Sequence, residues 1–192
     1  MSLASGDTLI IVDVQNDFLP GGALAVPDGE AVIEPLNRCI TVFDRCGLPI
    51  FATRDWHPAN HCSFRGQGGP WPPHCVAGTK GAEFSQRLQR PKGLRVVSKA
   101  TRSQADAYSG FQGTDLARQL REAGCRRLFI GGLATEYCVR ATALDARAAG
   151  FEVVVLEDAI QGVEVHPGDS EHALGDMVAH GVQLTSVAQA LA

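Results

Sequence analysis

Four side chains hold the most reactive chemistry in this sequence: the thiol of Cys138, the carboxylates of Asp13 and Asp55, and the ammonium of Lys99. A thiol, a carboxylate able to take its proton and an ammonium able to steady the resulting anion are the parts needed for covalent acyl transfer. With Asp13 as the base, no histidine is required beside the nucleophile, and no Gly-x-Ser-x-Gly elbow offers a serine in its place. The sharpest reading is a cysteine hydrolase with an aspartate base. A second group lies downstream of the second strand, where Asp55-Trp56-His57 can present two ligands from one extended segment and His61 and His74 come after it. Asp55, His57 and His74 suit zinc, iron or manganese. The stretch from there to Lys80 is rich in Gly and Pro, and a loop of that length in a compact domain needs something to hold it. Each residue also has a plainer reading. Cys138 is then a small buried hydrophobe, Asp13 a loop cap, and the histidines hydrogen-bonded loop residues.

The elements that must position these groups can be read from the hydrophobic pattern. The run from Thr8 to Val14 is apolar throughout except for Asp13 near its C-terminal end, which suits a parallel strand buried on both faces. A helix is expected from about Glu30 to Cys46, with Val32, Ile33, Leu36, Ile40 and Phe43 along one face. A second strand, Leu48 to Thr53, delivers Asp55, and a third, Leu94 to Ser98, delivers Lys99. A helix from about Thr114 to Ala123 closes at Gly124, and the strand Arg127 to Ile130 then enters Gly131-Gly132-Leu133-Ala134-Thr135-Glu136-Tyr137-Cys138. An alanine-rich helix leaves that elbow and stops at Gly150. A strand from Glu152 to Leu156, a polar turn, a helix from Ser170 to His180 and a short strand from Val182 to Thr185 complete the chain. Strands alternating with helices predict an α/β fold with three α/β/α layers around a six-stranded parallel sheet. Asp13, Asp55, Lys99 and Cys138 then share the C-terminal edge of the sheet, where open α/β folds bind ligands. Cys138 falls near the start of a helix, where unpaired N–H groups and the macrodipole favour a thiolate and can hold an oxyanion. With Lys99 also near, the thiol pKa is expected below the value of about 8.5 for a free cysteine.

The bulk properties narrow the function classes. At 192 residues, residues 1–192 form one domain, and 45% hydrophobic with 20% charged residues is ordinary globular material. A net charge of -4 with no basic run argues against nucleic acid or an anionic membrane as partner. No apolar window approaches a membrane span, and the N-terminus lacks the build of a secretory leader, so a cytoplasmic protein is expected. The six cysteines are scattered without a CxxC pair, which suits reduced thiols. A nucleotide-binding oxidoreductase is disfavoured because the first strand leads into Gln15-Asn16-Asp17-Phe18 and not into a Gly-x-Gly-x-x-Gly cradle. The presence of Asp13, Lys99 and Cys138 together weighs against an idle binding protein with a structural metal.

The runs Val12-Asp13-Val14-Gln15-Asn16-Asp17-Phe18, Asp55-Trp56-His57, Trp71-Pro72-Pro73-His74-Cys75, Lys99 and Ala134-Thr135-Glu136-Tyr137-Cys138-Val139 carry a resemblance. In this order, over nearly the whole chain, they resemble the nicotinamidase/pyrazinamidase branch of the isochorismatase-like cysteine hydrolase family. The resemblance implies a strand order of 3-2-1-4-5-6. It makes Cys138 the nucleophile, Asp13 its proton acceptor and Lys99 the third catalytic member. It makes Asp55, His57 and His74 the ligands of one divalent transition metal, zinc first with iron or manganese as alternatives. His61 stands behind them as a further ligand. It places Phe18, Trp71 and Tyr108 around the substrate ring with Leu133 beside them, and a cis peptide at Leu133–Ala134 that turns the N–H groups of Ala134 and Cys138 toward an oxyanion. Glu136 departs from the Asp of many relatives. The implied reaction is hydrolysis of nicotinamide to nicotinate and ammonia in NAD salvage, with pyrazinamide as an analogue. The rival within the family is a metal-free hydrolase of another amide, a ureide or a vinyl ether. Homo-oligomerisation stays open.

Overall fold

The computed structural model describes residues 3–192. Six parallel strands form one sheet: β1 (Asp7–Val12), β2 (Ile50–Asp55), β3 (Arg95–Lys99), β4 (Arg127–Leu133), β5 (Glu152–Gln161) and β6 (Gln183–Thr185). Their order is β3-β2-β1-β4-β5-β6, as the resemblance implies. The central strand β1 is buried along its whole length, which explains why its sequence is continuously apolar rather than alternating.

Alternate residues of β1 supply two separate cores. Leu9 and Ile11 face the side covered by α1 (Ile33–Arg45) and α5 (Val187–Ala190), together with Leu36, Ile40, Phe43 and Val187. Ile10 and Val12 face the opposite side, covered by α2 (Leu116–Glu122), α3 (Arg140–Ala148) and α4 (Asp169–Ala179), through Leu116, Leu120, Ala143 and Met177. The two sides together make the expected three layers. Phe43 meets Phe129 edge-on at 5.6 Å between ring centroids, locking α1 to β4. No helix of the described residues is long and apolar enough to cross a membrane.

Register aligns the strand ends that carry the reactive groups. Val12 pairs with both Thr53 and Gly132, and Asp55 pairs with Lys99. Gly132 has φ 131°, and a Cβ there would collide with the backbone of Val12, so only glycine allows β4 to approach β1 this closely.

Several elements differ from the sequence expectation. A single 3-10 turn, Gly29–Val32, precedes α1. β4 continues through Leu133, and β5 runs on to Gln161 where a polar turn was expected after Leu156. The β4–β5 register shifts between Ile130 and Gly132, which lets β5 continue alongside. The short helix α5 was not anticipated, although Ser186 with Gln189 three residues later is a capping signal, and the Ser186 hydroxyl does accept from the Gln189 N–H. The segment between β2 and β3 has only short turns and isolated bridges, His57 to Val76 and Phe64 to Trp71 among them.

Candidate active site and metal centre

Beyond the C-terminal end of β1, Asp13 adopts a left-handed backbone, φ 50°, uncommon for a residue with a side chain though less so for Asp. Its Oδ1 accepts from Thr53 Oγ1 at 2.7 Å, and its Oδ2 faces Lys99 Nζ at 3.0 Å. Lys99 is 1% exposed. Its ammonium pairs with Asp55 Oδ1, donates to the Ala107 carbonyl at 3.2 Å, and lies 3.5 Å from Cys138 Sγ. Register on β2 and β3 therefore supplies a buried cation to two strand-end carboxylates and a thiol.

Cys138 sits in a wide turn, Thr135–Val139, before α3 begins. The Val139 N–H reaches back five residues to the Ala134 carbonyl at 3.2 Å. The Leu133–Ala134 peptide is cis. A carboxylate oxygen of Asp13, one of Asp55 and the Cys138 sulfur all lie within 4.8 Å of one another.

Electrostatics overturn one expectation. Burial, with Asp13 and Asp55 adding to it, pushes the Cys138 thiol well above its usual pKa, and Lys99 only partly opposes this. Desolvation and the two neighbouring carboxylates outweigh Lys99 and favour the thiol over the thiolate. Burial also raises Asp13, with Lys99 pulling the other way. For Asp55, burial is overcome by Lys99 and His57, which hold its carboxyl far below the usual range. The two carboxylates beside Lys99 are thus driven apart: Asp55 stays ionised while Asp13 can exchange a proton.

Ligand atoms of Asp55, His57 and His74 lie within 4.8 Å of one another, and all three residues are buried. His57 is 1% exposed, yet neither of its ring nitrogens has a hydrogen-bond partner within the protein. An imidazole stripped of water on both sides is costly unless an ion takes a lone pair. His74 Nδ1 donates to the Pro72 carbonyl at 2.8 Å, which leaves Nε2 as the free lone pair in the tautomer a metal requires. The donor set fits a divalent transition ion. His61 is placed differently. Its Nδ1 lies 2.7 Å from Ser63 Oγ and accepts from the Ser63 N–H, while its Nε2 faces the Ala105 carbonyl at 3.3 Å. Its ring stacks on His57, with centroids 4.2 Å apart, and it stands outside the ligand cluster.

A mostly apolar cavity leads down to Cys138, Asp55, His57 and His74. Phe18, Trp71 and Tyr108 line it, with Trp71 Nε1–H donating to the Tyr108 hydroxyl at 3.0 Å. Leu133 does not. Its side chain is 1% exposed and packs in the α1-side core, because β4 runs through it and turns it away from the cavity. Sequence reasoning missed Tyr137, Leu24, Val26, Asp106 and Val163, all of which line the walls. Tyr137 could have been found from its place next to Cys138. Its ring meets Trp71 edge-on at 5.4 Å. Gln15 was also missed: it is fully buried, accepts the Asp55 N–H at 2.7 Å and donates to the Asp55 carbonyl at 2.8 Å, so it fixes the backbone of that residue from both sides.

The geometry can be set beside known proteins. A nicotinamidase from Escherichia coli is 39% identical over 201 residues, spanning 94% of this chain and 94% of its own. The pyrazinamidase of Pyrococcus horikoshii in complex with zinc superposes with a TM-score of 0.91 at 52% identity, covering 94% of this chain and 99% of that one. A protein of L. infantum in complex with nicotinate superposes with a TM-score of 0.91 at 40% identity, covering 100% of this chain and 98% of that one. The isochorismatase domain model matches residues 7–189. With that match running from the first strand into the last helix, the chain belongs to the isochorismatase family.

Proposed function

We infer that this chain is a nicotinamidase, an amidohydrolase that converts nicotinamide to nicotinate and ammonia. The observation that carries the reading is a single aromatic-walled cavity that reaches both a Cys138–Asp13–Lys99 cluster and a donor set fit for a metal. The apolar, aromatic lining suits a flat heteroaromatic ring, with Cys138 at the same cavity to meet its carboxamide. Pyrazinamide keeps both ring nitrogen and carboxamide and is expected as a second substrate. The product suits NAD salvage, and the reading includes a cytoplasmic enzyme.

Asp13 takes the proton of the Cys138 thiol as Sγ attacks the carboxamide carbon. The oxyanion that forms is met by the N–H groups of Ala134 and Cys138. The Asp13 carboxyl then passes its proton to the leaving nitrogen, ammonia departs, and a thioester remains on Cys138. Water enters, gives its proton to Asp13 and cleaves the thioester, releasing nicotinate and restoring the thiol. Lys99 steadies whichever neighbour is anionic at each stage. Asp55, His57 and His74 would hold one divalent ion, zinc first and iron or manganese as alternatives. When bound, that ion supplies a positive centre for the pyridine nitrogen and orients the ring.

Ammonia release from nicotinamide and benzamide, with metal content measured on the same samples, tests the reading. About one transition-metal ion per chain is expected, three protein ligands leaving positions open. Benzamide, which lacks the ring nitrogen, should be a poor substrate, and His74→Ala should lose both metal and nicotinamide turnover. Metal-free protein that hydrolyses both amides equally well would reduce the reading to a generic cysteine amidase.

A further inference from the structure

We propose that Glu136 sets the width of the substrate cavity by pinning the β5–α4 loop, and with it Val163, to the turn that carries Cys138. This rests on the nicotinamidase reading of the cavity. Glu136 Oε1 accepts the N–H of Val163 at 2.8 Å and the N–H of Glu164 at 2.9 Å. Val163 is a wall of the cavity. Glu164, next to it, has a left-handed backbone, φ 54°. That conformation is uncommon for a residue with a side chain, and the bond from its N–H to Glu136 is one of the contacts that hold it.

Within the loop the His166 N–H donates to Asp169 Oδ2 at 2.8 Å, and Val163 also packs against the α1-side core. β5 ends at Gln161 and α4 begins at Asp169, so residues 162–168 lie outside any strand or helix. On the far side the Glu164 carboxylate accepts from Gly168 N–H at 2.9 Å and Ser170 N–H at 2.8 Å, which ties the loop to the start of α4. On the near side the anchor is Glu136. Its other oxygen, Oε2, is buried without a partner. Gly162 leaves the space this carboxylate needs, since a Cβ there would collide with Ser170 Oγ and crowd Glu136 Oε2. Two backbone N–H groups converging on one carboxylate oxygen form charge-assisted bonds, stronger than neutral ones.

Glu136 lies two residues before Cys138 in the same turn. The sulfur that must reach the carboxamide and the wall that limits the ring therefore share one anchor. Releasing the wall lets the ring tilt while leaving Asp13, Lys99 and Cys138 in place. Glu136 is then a positioning residue, acting on specificity through Val163.

The test uses the metal-loaded enzyme and the variants Glu136→Ala, Glu136→Gln, Val163→Ala and the double Glu136→Ala/Val163→Ala. Steady-state kinetics on nicotinamide and on ring-methylated nicotinamides are read beside hydrogen exchange of the backbone amides. Glu136→Ala should raise KM for nicotinamide by about tenfold and hold kcat within about twofold, the pattern of lost ground-state positioning. It should also raise the relative kcat/KM of the methylated amides and speed exchange at the Val163 and Glu164 amides. Glu136→Gln keeps an acceptor oxygen at the same reach and should restore most of the wild-type KM. Val163→Ala should relax specificity by itself, with the double variant adding little beyond it. A fall in kcat with KM unchanged, or exchange at Val163 and Glu164 unaltered in Glu136→Ala, overturns the proposal. Wild-type protein inert toward nicotinamide overturns the nicotinamidase reading instead, and the exchange measurement still decides whether Glu136 holds the loop.

Discussion

The Cys138 thiol, 6% exposed and beside two carboxylates, holds its proton above the range of a free cysteine, with Lys99 at 3.5 Å a partial counterweight. On the proposed reading, nucleophilicity comes from proton transfer at the moment of attack rather than from a standing thiolate. Asp13 suits that transfer because burial raises its own proton affinity. On metal-stripped protein, iodoacetamide alkylation of Cys138 is expected to rise with pH to a midpoint above about 8.5. Because a raised pKa means less thiolate at any lower pH, a midpoint below that value would show that Lys99 prevails over burial. Asp13→Asn preserves shape and the contact with Thr53 but cannot accept a proton. Turnover should fall by at least about a hundredfold, the usual worth of a positioned base, while the far-ultraviolet spectrum stays native. A folded variant with near-normal ammonia release would remove Asp13 from the chemistry.

Strand ends decide which side chains meet. Asp55 and Lys99 pair across β2 and β3, and Val12 pairs with Gly132, so side chains far apart in sequence converge on one edge. The rigidity of that edge comes from the packed layers beneath it. Phe43 is fully buried on α1 and contacts Phe129 on β4, well away from the reactive groups. Phe43→Ala should cost about 3–5 kcal/mol in urea unfolding by loss of buried surface and creation of a cavity. At temperatures where the variant is folded, its kcat should match wild type. A loss below about 1 kcal/mol would mean that α1 collapses onto the sheet to refill the space.

For the molecule as a whole, the metal-capable cluster couples ligand binding to stability. Asp55, His57 and His74 come together only in the folded chain, so an ion bound there favours the native state by about 2.7 kcal/mol at a hundredfold excess over Kd. Chelation should therefore lower Tm by roughly 5–10 °C in a domain of this size. Restoring zinc should reverse the shift in wild type and leave His74→Ala unmoved, which calorimetry reads without any substrate. An identical Tm in chelated and zinc-loaded wild type would argue against an ion at this cluster. The sequence by itself determined the α/β class, the alternation of strands and helices, and the placement of Asp13, Asp55 and Lys99 at strand ends, with Cys138 just beyond one. Those are local properties, carried by apolar period and by the polar residues that end each apolar run. The tertiary structure alone decided that Leu133 belongs to the core and Val163 to the cavity, because the side chain a strand turns inward depends on where that strand stops. It also decided the burial and the charged neighbours that push the Cys138 thiol pKa up, and the hold of Glu136 on a loop 27 residues away. Burial and partner choice are sums over neighbours that are distant in the chain, and no window of sequence contains them.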